Sequence, residues 1–74
     1  MGEVFLETFG QRLRALRLQQ GLTQKDMAGV LGCTASNYQK MEYGQVNVSA
    51  TTLMALARQF HVTTDYLLGL SDLR

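Results

Sequence analysis

The sequence lacks the residues and segments that mark several classes of protein. It has no proline and no tryptophan, and its only cysteine is Cys33. A single cysteine forms no intrachain disulfide and makes no zinc site by itself, so we expect no metal. No apolar run approaches the roughly 18 residues that a membrane-spanning helix needs, and the N-terminus lacks the regions of a signal peptide. These absences predict a cytoplasmic protein that does not enter a membrane.

The overall charge is too small to identify a partner. Seven lysine and arginine residues against six aspartate and glutamate residues give a net charge of +1 at pH 7. Hydrophobic residues make up 46% of the chain and charged residues 18%, which is too apolar for a disordered chain and too low in charge for a coiled coil. A chain of 74 residues supports a single hydrophobic core, so we expect one small domain.

No group of residues in the sequence is suited to catalysis. There is no base beside a nucleophile, no pair of carboxylates and no glycine-rich loop that would hold a phosphate. The only histidine, His61, has no third partner that would join it to Cys33 in a catalytic arrangement. The sequence therefore predicts a protein that is not an enzyme and needs no cofactor.

Glycines and hydroxyl residues divide the chain into five predicted helices. Four glycines each follow a segment with helical spacing, which is typical of a glycine just beyond a helix C-terminus; they are Gly21, Gly32, Gly44 and Gly69. A hydroxyl residue precedes each of the four later segments, where it would cap the helix N-terminus; these residues are Thr23, Thr34, Ser49 and Thr63. The predicted helices span residues 8–20, 24–31, 35–43, 50–60 and 64–69.

The spacing of apolar residues completes the prediction of an all-α fold. Leu53, Leu56 and Phe60 lie on one helix face, and no segment alternates with the period of a β-strand for long enough to form one. Only residues 32–34 separate the second and third helices, a length that suits a helix-turn-helix corner. We expect a compact five-helix bundle with a central helix-turn-helix.

The two ends of the chain lie outside this pattern. Residues 1–7 form either an N-terminal tail or, through the apolar stretch 4–6, one more turn of the first helix. Residues 71–74 are expected to form a C-terminal tail. The domain predicted between these ends spans residues 8–70.

Five segments, in this order and at these spacings, resemble the Cro and phage-repressor (XRE-like) helix-turn-helix family. They read RLRALR at 12–17, TQKDMA at 23–28, LGCT at 31–34, MEYG at 41–44 and VTTDYLLG at 62–69. The resemblance covers nearly the whole chain. It implies a lambda-repressor-like fold that binds double-stranded DNA, in the bacterial cytosol or in a phage-infected cell.

The third predicted helix has the pattern that a DNA-reading helix requires. The major groove of B-form DNA admits one helix, which needs polar side chains on its outer face and apolar anchors beneath. Tyr38 and Met41 are placed to face inward. By the resemblance, the base edges are contacted by Ala35, Ser36, Gln39 and Lys40.

The resemblance also implies contacts with the DNA backbone. It places Gln24, at the start of the second helix, on a phosphate, where the helix N-terminus also favours an anion. Lys25 is either a second phosphate contact or a solvent-exposed lysine. The other candidate phosphate contacts are Tyr43, Arg17 and Asn47.

Arg17 and Glu42 interrupt helix faces that are otherwise apolar. By the resemblance, these two residues form a partly buried ion pair between the first helix and the end of the third. Such a pair is often close to neutral for stability, but the loss of one partner costs roughly 3–5 kcal/mol.

The chain departs from the family after Gly44. Many members carry basic residues there that bind phosphates, whereas the loop QVNV at 45–48 has no charge. Each lost cation removes about one released counterion from the dependence of affinity on salt. We therefore expect a monomer to bind DNA weakly and with a shallow salt dependence.

Dimerisation would compensate for weak binding by one copy. Members of the family read adjacent half-sites as two-fold dimers, with recognition helices roughly 34 Å apart. The stretch 4–6 is one candidate dimer surface. The other is the apolar C-terminal stretch, with the alternative that its first two leucines close the monomer core while the tail frays; its residues are Leu67, Leu68, Leu70 and Leu73.

The sequence thus favours a sequence-specific transcriptional regulator that binds double-stranded DNA, acting as a repressor on a palindromic operator as a homodimer. Two alternatives remain open. One is an antitoxin or a controller of restriction genes with the same fold. The other is a helical protein-interaction module that has lost DNA binding, an alternative that the neutral loop 45–48 supports.

Overall fold

The computed structural model describes residues 6–74 of the chain, and this part contains five α-helices and no β-strand. The predicted all-α fold is confirmed, and each helix boundary lies within about one residue of its predicted position, the usual uncertainty of such boundaries. None of these helices is long and apolar enough to cross a membrane. They are α1 (Glu7–Gln19), α2 (Gln24–Leu31), α3 (Ala35–Glu42), α4 (Ala50–Phe60) and α5 (Thr64–Leu68).

Hydroxyl side chains cap four helices, as the sequence predicts. At the start of α2, the Asp26 N–H donates to Thr23 Oγ1 at 2.9 Å and the Thr23 N–H donates to Asp26 Oδ2 at 2.9 Å, which forms a reciprocal capping box. Capping hydrogen bonds of 3.0–3.1 Å are also present at the N-termini of the three later helices. Each such cap stabilises its helix by about 1 kcal/mol relative to an alanine at the same position. Their acceptors are the side chains of Thr34, Ser49 and Thr63.

Most helices end where a glycine adopts the left-handed backbone conformation, but α4 ends at His61. The four glycines predicted to follow helices all have positive φ. His61 has a φ of 53° and is the only non-glycine residue with positive φ among residues 6–74. This conformation is sterically unfavourable for a residue with a Cβ atom. The C-terminus of α4 is therefore strained at His61.

Replacing His61 with glycine is expected to raise the free energy of unfolding by roughly 0.5–1 kcal/mol, because glycine adopts positive φ without the steric cost. Gln20 provides the matched control, since it caps α1 with a φ of −90°. Gln20→Gly should be neutral or destabilising. Urea denaturation of both variants measures the difference, and equal effects would show that backbone strain at His61 is not the cause.

The hydrophobic core lies between the inner faces of all five helices. Helix α1 packs against α3 and α5, α2 packs against α3, and α4 packs against α5. The structure corrects one prediction here, because Leu67 is fully buried in the core and does not belong to a dimer surface. The buried apolar residues are Phe9, Leu13, Leu16, Met27, Ala28, Tyr38, Leu56, Phe60 and Leu67.

The first helix begins at Glu7, directly against the end of α3. Leu6 has a non-helical backbone, and its N–H donates to the carbonyl oxygen of Gly44 at 2.9 Å. The alternative that the stretch 4–6 extends α1 is therefore wrong at Leu6, whose φ of −115° and ψ of 58° are not helical. Residues 4 and 5 lie outside the described residues.

The C-terminal tail is attached to α1 by Arg12. The Arg12 guanidinium donates to the backbone carbonyls of Tyr66 and Ser71 and lies 4.2 Å from the centroid of the Tyr66 ring. It also pairs with the exposed carboxylate of Asp72 at 2.7 Å, a contact that contributes little because water competes for it. These contacts place Ser71 and Asp72 of the C-terminal tail beside α1.

Candidate nucleic-acid interface

The four residues predicted to contact bases lie on the exposed face of α3. Ala35, Ser36, Gln39 and Lys40 are all exposed to solvent. On the opposite side of the helix, Tyr38 is fully buried, and Met41 is half-buried against the core. The buried tyrosine fixes the rotation of α3, so its polar face points away from the rest of the bundle.

The turn between α2 and α3 sets the direction of the exposed helix. Gly32 ends α2 with a φ of 69°, and the Cys33 N–H donates to the carbonyl oxygen of Ala28 at 2.9 Å. Thr34 then caps α3. Cys33 is half-buried and packs against the core. A turn fastened at both ends gives α3 one defined orientation relative to α2, as in a helix-turn-helix.

Tyr43 continues the exposed face of α3 beyond its last turn. Its side chain is exposed, and its hydroxyl accepts a hydrogen bond from Gln39 Nε2 at 3.4 Å. The two residues are four positions apart and therefore lie on the same side of the helix. Tyr43 thus lies beside the predicted base contacts, at the edge of the surface that they form.

Arg17 and Glu42 form a buried ion pair that joins α1 to the end of α3. Arg17 Nε donates to Glu42 Oε2 at 2.6 Å and Arg17 Nη2 donates to Glu42 Oε1 at 3.1 Å, a bidentate arrangement. Arg17 Nη1 also donates to the carbonyl oxygen of Leu22 at 2.9 Å. Only 9% of the Arg17 side chain is exposed, so its main partners are internal. The predicted phosphate contact of Arg17 stays a prediction.

Gln24 connects this ion pair to the start of α2. Its side-chain nitrogen donates to Glu42 Oε1 at 3.3 Å, and the residue is partly exposed. Three of the predicted residues, Arg17, Gln24 and Glu42, are therefore in direct contact. Each of them could be selected from the sequence, but no sequence signal indicates the bond between Gln24 and Glu42, which lie 18 positions apart.

The surroundings of Glu42 favour its charged form. Burial opposes ionisation of the carboxyl, but Arg17, the neighbouring Tyr38 hydroxyl and Gln24 together outweigh it, so the pKa of Glu42 lies below its usual value. The Tyr38 hydroxyl is buried beside the pair and makes no hydrogen bond to residues 6–74 that meets normal geometry. Burial, followed by the nearby Glu42, raises the pKa of Tyr38 well above its usual value.

The lowered pKa of Glu42 predicts a loss of stability in acid. A carboxyl whose pKa is depressed by folding contributes stability above its unfolded pKa of about 4.3, and this contribution is lost as the pH falls through the folded value. The free energy of unfolding should therefore decrease below about pH 4.3. Urea denaturation between neutral pH and pH 3 measures this decrease. Glu42→Gln should show a smaller decrease, and an identical pH profile would contradict the assignment to Glu42.

The remaining predicted contacts lie at the edges of this surface. Lys25 and Asn47 are exposed, and Asn47 Oδ1 accepts a hydrogen bond from the N–H of Val48 at 3.2 Å. Within residues 6–74, no side-chain hydrogen bond or ion pair joins Lys25 to the other candidates. Asn37, for which the sequence indicates no role in binding, is also exposed, and it lines a hollow of about 260 Å³ with Asn47. The hydrogen bond from the Asn37 N–H to Thr34 could be predicted from the sequence. The position of Asn37 beside the loop 45–48 could not.

Comparison with known proteins places this geometry in a family. The helix-turn-helix family model matches residues 13–67. The restriction-modification controller protein C.AhdI from Aeromonas hydrophila is similar in structure, with a TM-score of 0.74 and 39% identity over 84% of this chain and 94% of that one. PlcR of Bacillus thuringiensis, solved with the peptide PapR7 and DNA, has a TM-score of 0.73 and 26% identity over 82% of this chain and 21% of that one.

Relatives with similar sequences are bacterial regulators. The SPbeta prophage-derived uncharacterized HTH-type transcriptional regulator YonR of Bacillus subtilis is 40% identical over 60 residues, which are 81% of this chain and 56% of YonR. The propionyl-CoA carboxylase regulator of Cereibacter sphaeroides is 45% identical over 53 residues, 72% of this chain and 12% of that protein. The chain therefore spans only part of these relatives. Its sequence and its fold both show that it belongs to the helix-turn-helix family of the XRE type.

Proposed function

We propose that this chain is a sequence-specific DNA-binding domain of a transcriptional regulator, which acts as a repressor in the bacterial cytosol or in a phage-infected cell. The observation that carries the proposal is the exposed polar face of α3, anchored by the fully buried Tyr38. In the family this helix enters the major groove. Ala35, Ser36, Gln39 and Lys40 are the proposed base contacts, through a thymine methyl group for alanine and through hydrogen bonds for the others.

The DNA backbone would be bound on both sides of the recognition helix α3. Gln24 and Lys25 at the N-terminus of α2 form one group of proposed phosphate contacts, supported by the N–H groups that begin any helix. The second group is Tyr43 and Asn47, with Arg17 at the margin. Of these proposed phosphate contacts, Lys25 is the only exposed residue that carries a charge. A shallow dependence of affinity on salt is the expected consequence.

Homodimer formation on a palindromic operator is the second part of the proposal. Leu70 and Leu73 are 75% and 80% exposed, and Leu68 beside them is half-buried. Arg12 holds the segment that carries these side chains against α1. Exposed apolar side chains of this kind are suited to a contact with a second copy. The dimer would place two copies of α3 in successive major grooves.

Control of restriction genes is a second candidate function within the same fold. It is favoured by the similarity to C.AhdI, a restriction-modification controller, because this chain covers 94% of that protein at 39% identity. Such a protein would use the same helix to bind DNA. The two functions are distinguished by the genes that the operator controls.

Selection from random duplex DNA tests the proposed function. Purified protein is incubated with a random library, and bound DNA is amplified and sequenced over several rounds. An enriched palindrome with half-sites about one helical turn apart is the expected result. Failure to enrich any sequence, together with no retention on nonspecific duplex at low salt, would overturn the proposal and favour a protein-interaction module.

Gln39→Ala and Lys40→Ala are expected to weaken binding to the selected operator by roughly 1–3 kcal/mol each and to relax the preference at the base pair concerned. Arg58→Ala is the control, because it removes an exposed positive charge from α4 rather than from α3. Fluorescence anisotropy with operators substituted at single positions measures both effects. Unchanged preference in both α3 variants would place the base contacts elsewhere.

A further inference from the structure

The Gln24 side chain donates a hydrogen bond to the carboxylate of Glu42, which is already paired with Arg17. Arg17 already donates to both oxygens of Glu42, at 2.6 Å and 3.1 Å. The bond from Gln24 Nε2 to Glu42 Oε1, at 3.3 Å, is an additional one. The charge on Glu42 therefore stays paired without Gln24, and the main effect of this third bond is on the orientation of Gln24.

The bond determines which end of the Gln24 amide faces Glu42. An ionised carboxylate only accepts hydrogen bonds, whereas a side-chain amide has a donating nitrogen and an accepting oxygen. Only the nitrogen can therefore face Glu42. The same nitrogen has a second N–H, and the Gln24 side chain is partly exposed to solvent.

A DNA phosphate is also an acceptor, so it too needs the nitrogen of the amide. A glutamine that rotates freely presents its oxygen to an approaching phosphate in part of its conformations, and ordering it on binding has a cost in entropy. Prior orientation by Glu42 removes both disadvantages. One nitrogen then donates to the protein through one N–H and to DNA through the other.

We propose that Glu42 is a positioning residue for binding of the DNA backbone: its carboxylate, clamped by Arg17, orients the Gln24 amide so that an N–H meets a phosphate. This inference rests on the proposed function, since it needs a DNA-bound state. It assigns the buried ion pair a role in affinity as well as in stability. The contact is to a phosphate, so its effect is independent of base sequence.

A double-mutant cycle on affinity tests the positioning role. Wild-type protein, Glu42→Gln, Gln24→Ala and the double variant are titrated with the selected operator and with a scrambled duplex, each of roughly 20 base pairs. Far-UV circular dichroism at the assay temperature verifies that each protein is folded. We expect Glu42→Gln and Gln24→Ala each to weaken binding about 3- to 10-fold on both duplexes, the usual effect of one hydrogen bond. The double variant should bind no more weakly than Gln24→Ala.

Additive losses in the double variant would overturn the positioning role, because they would show that Glu42 affects binding without Gln24. Full affinity of Glu42→Gln would overturn it too. In both cases specific binding by the wild-type protein leaves the proposed function intact, whereas absence of wild-type binding to any duplex overturns both.

A measurement on the wild-type protein covers the case in which Glu42→Gln does not fold. The side-chain amide proton of Gln24 that is bonded to the Glu42 carboxylate should have an NMR chemical shift downfield of the corresponding proton of Gln45, an exposed glutamine. Addition of the scrambled duplex should shift the other proton. Gln24 amide protons that have the same shifts as those of Gln45 and do not respond to DNA would overturn the inference.

Discussion

Replacing Glu42 with alanine is expected to lower the free energy of unfolding by roughly 3–5 kcal/mol, the largest effect of any substitution considered for this chain. The reason is that Arg17 would keep its charge in a site where only 9% of its side chain reaches solvent. The hydrogen bond to Glu42 is the main cause that raises the pKa of Arg17, and arginine does not lose its proton at neutral pH. A domain of this size has a total stability of only about 5–10 kcal/mol. The loss is therefore a large fraction of the whole, and urea denaturation measures it.

Two further variants separate the buried pair from general effects of charge. Arg14 lies on the same helix as Arg17 but is exposed, so Arg14→Ala should change the free energy of unfolding by no more than about 0.5 kcal/mol. A double replacement by apolar residues, Arg17→Met with Glu42→Leu, should recover most of the stability, since it removes both buried charges. An Arg17→Ala or Glu42→Ala protein as stable as Arg14→Ala would contradict the assignment of a buried pair.

Features that depend on neighbouring residues could be predicted from the sequence. Each capping hydroxyl bonds to an N–H three residues further along, as Thr34 does to Asn37, and the four glycines with positive φ each follow the end of a helix. The pattern within 35–43 likewise identifies Tyr38 as the buried anchor and Gln39 as exposed. Such contacts are local, so the neighbouring residues determine where the helices begin and end and which residues of α3 are exposed.

Features that depend on how the helices approach each other could not be predicted in this way. Arg12 contacts carbonyl groups in the tail through the packing of α1 on α5, and nothing near residue 12 indicates these partners. The same holds for the contact between Gln24 and Glu42. His61 could not be predicted either, since glycine and asparagine are the residues that signal a left-handed helix end. The resemblance supplied the ion pair, which composition and spacing alone did not.

Gly10 shows how a residue with no clear role in the sequence acquires one through packing. It is buried within α1, where a glycine ordinarily costs stability. A Cβ atom built on Gly10 would lie 2.3 Å from the carbonyl oxygen of Glu42 and 3.0 Å from that of Met41. Both are backbone atoms, which cannot turn aside as a flexible side chain does. The absence of a side chain at Gly10 thus allows α1 to approach the end of α3 closely enough for Arg17 to reach Glu42.

Gly10→Ala is therefore expected to lower the free energy of unfolding by about 1–3 kcal/mol or more, because α1 and α3 must move apart to admit the methyl group. Gly29 is the matched control: it lies in α2, is exposed, and a Cβ atom built on it has no neighbour within 4 Å. Gly29→Ala should raise the free energy of unfolding by about 0.4–1 kcal/mol, since alanine is the better helix former. Urea denaturation compares the two. The same substitution should thus act in opposite directions in two helices of one bundle, and a stabilising effect at both positions would show that the contact between α1 and α3 is looser than the structure has it.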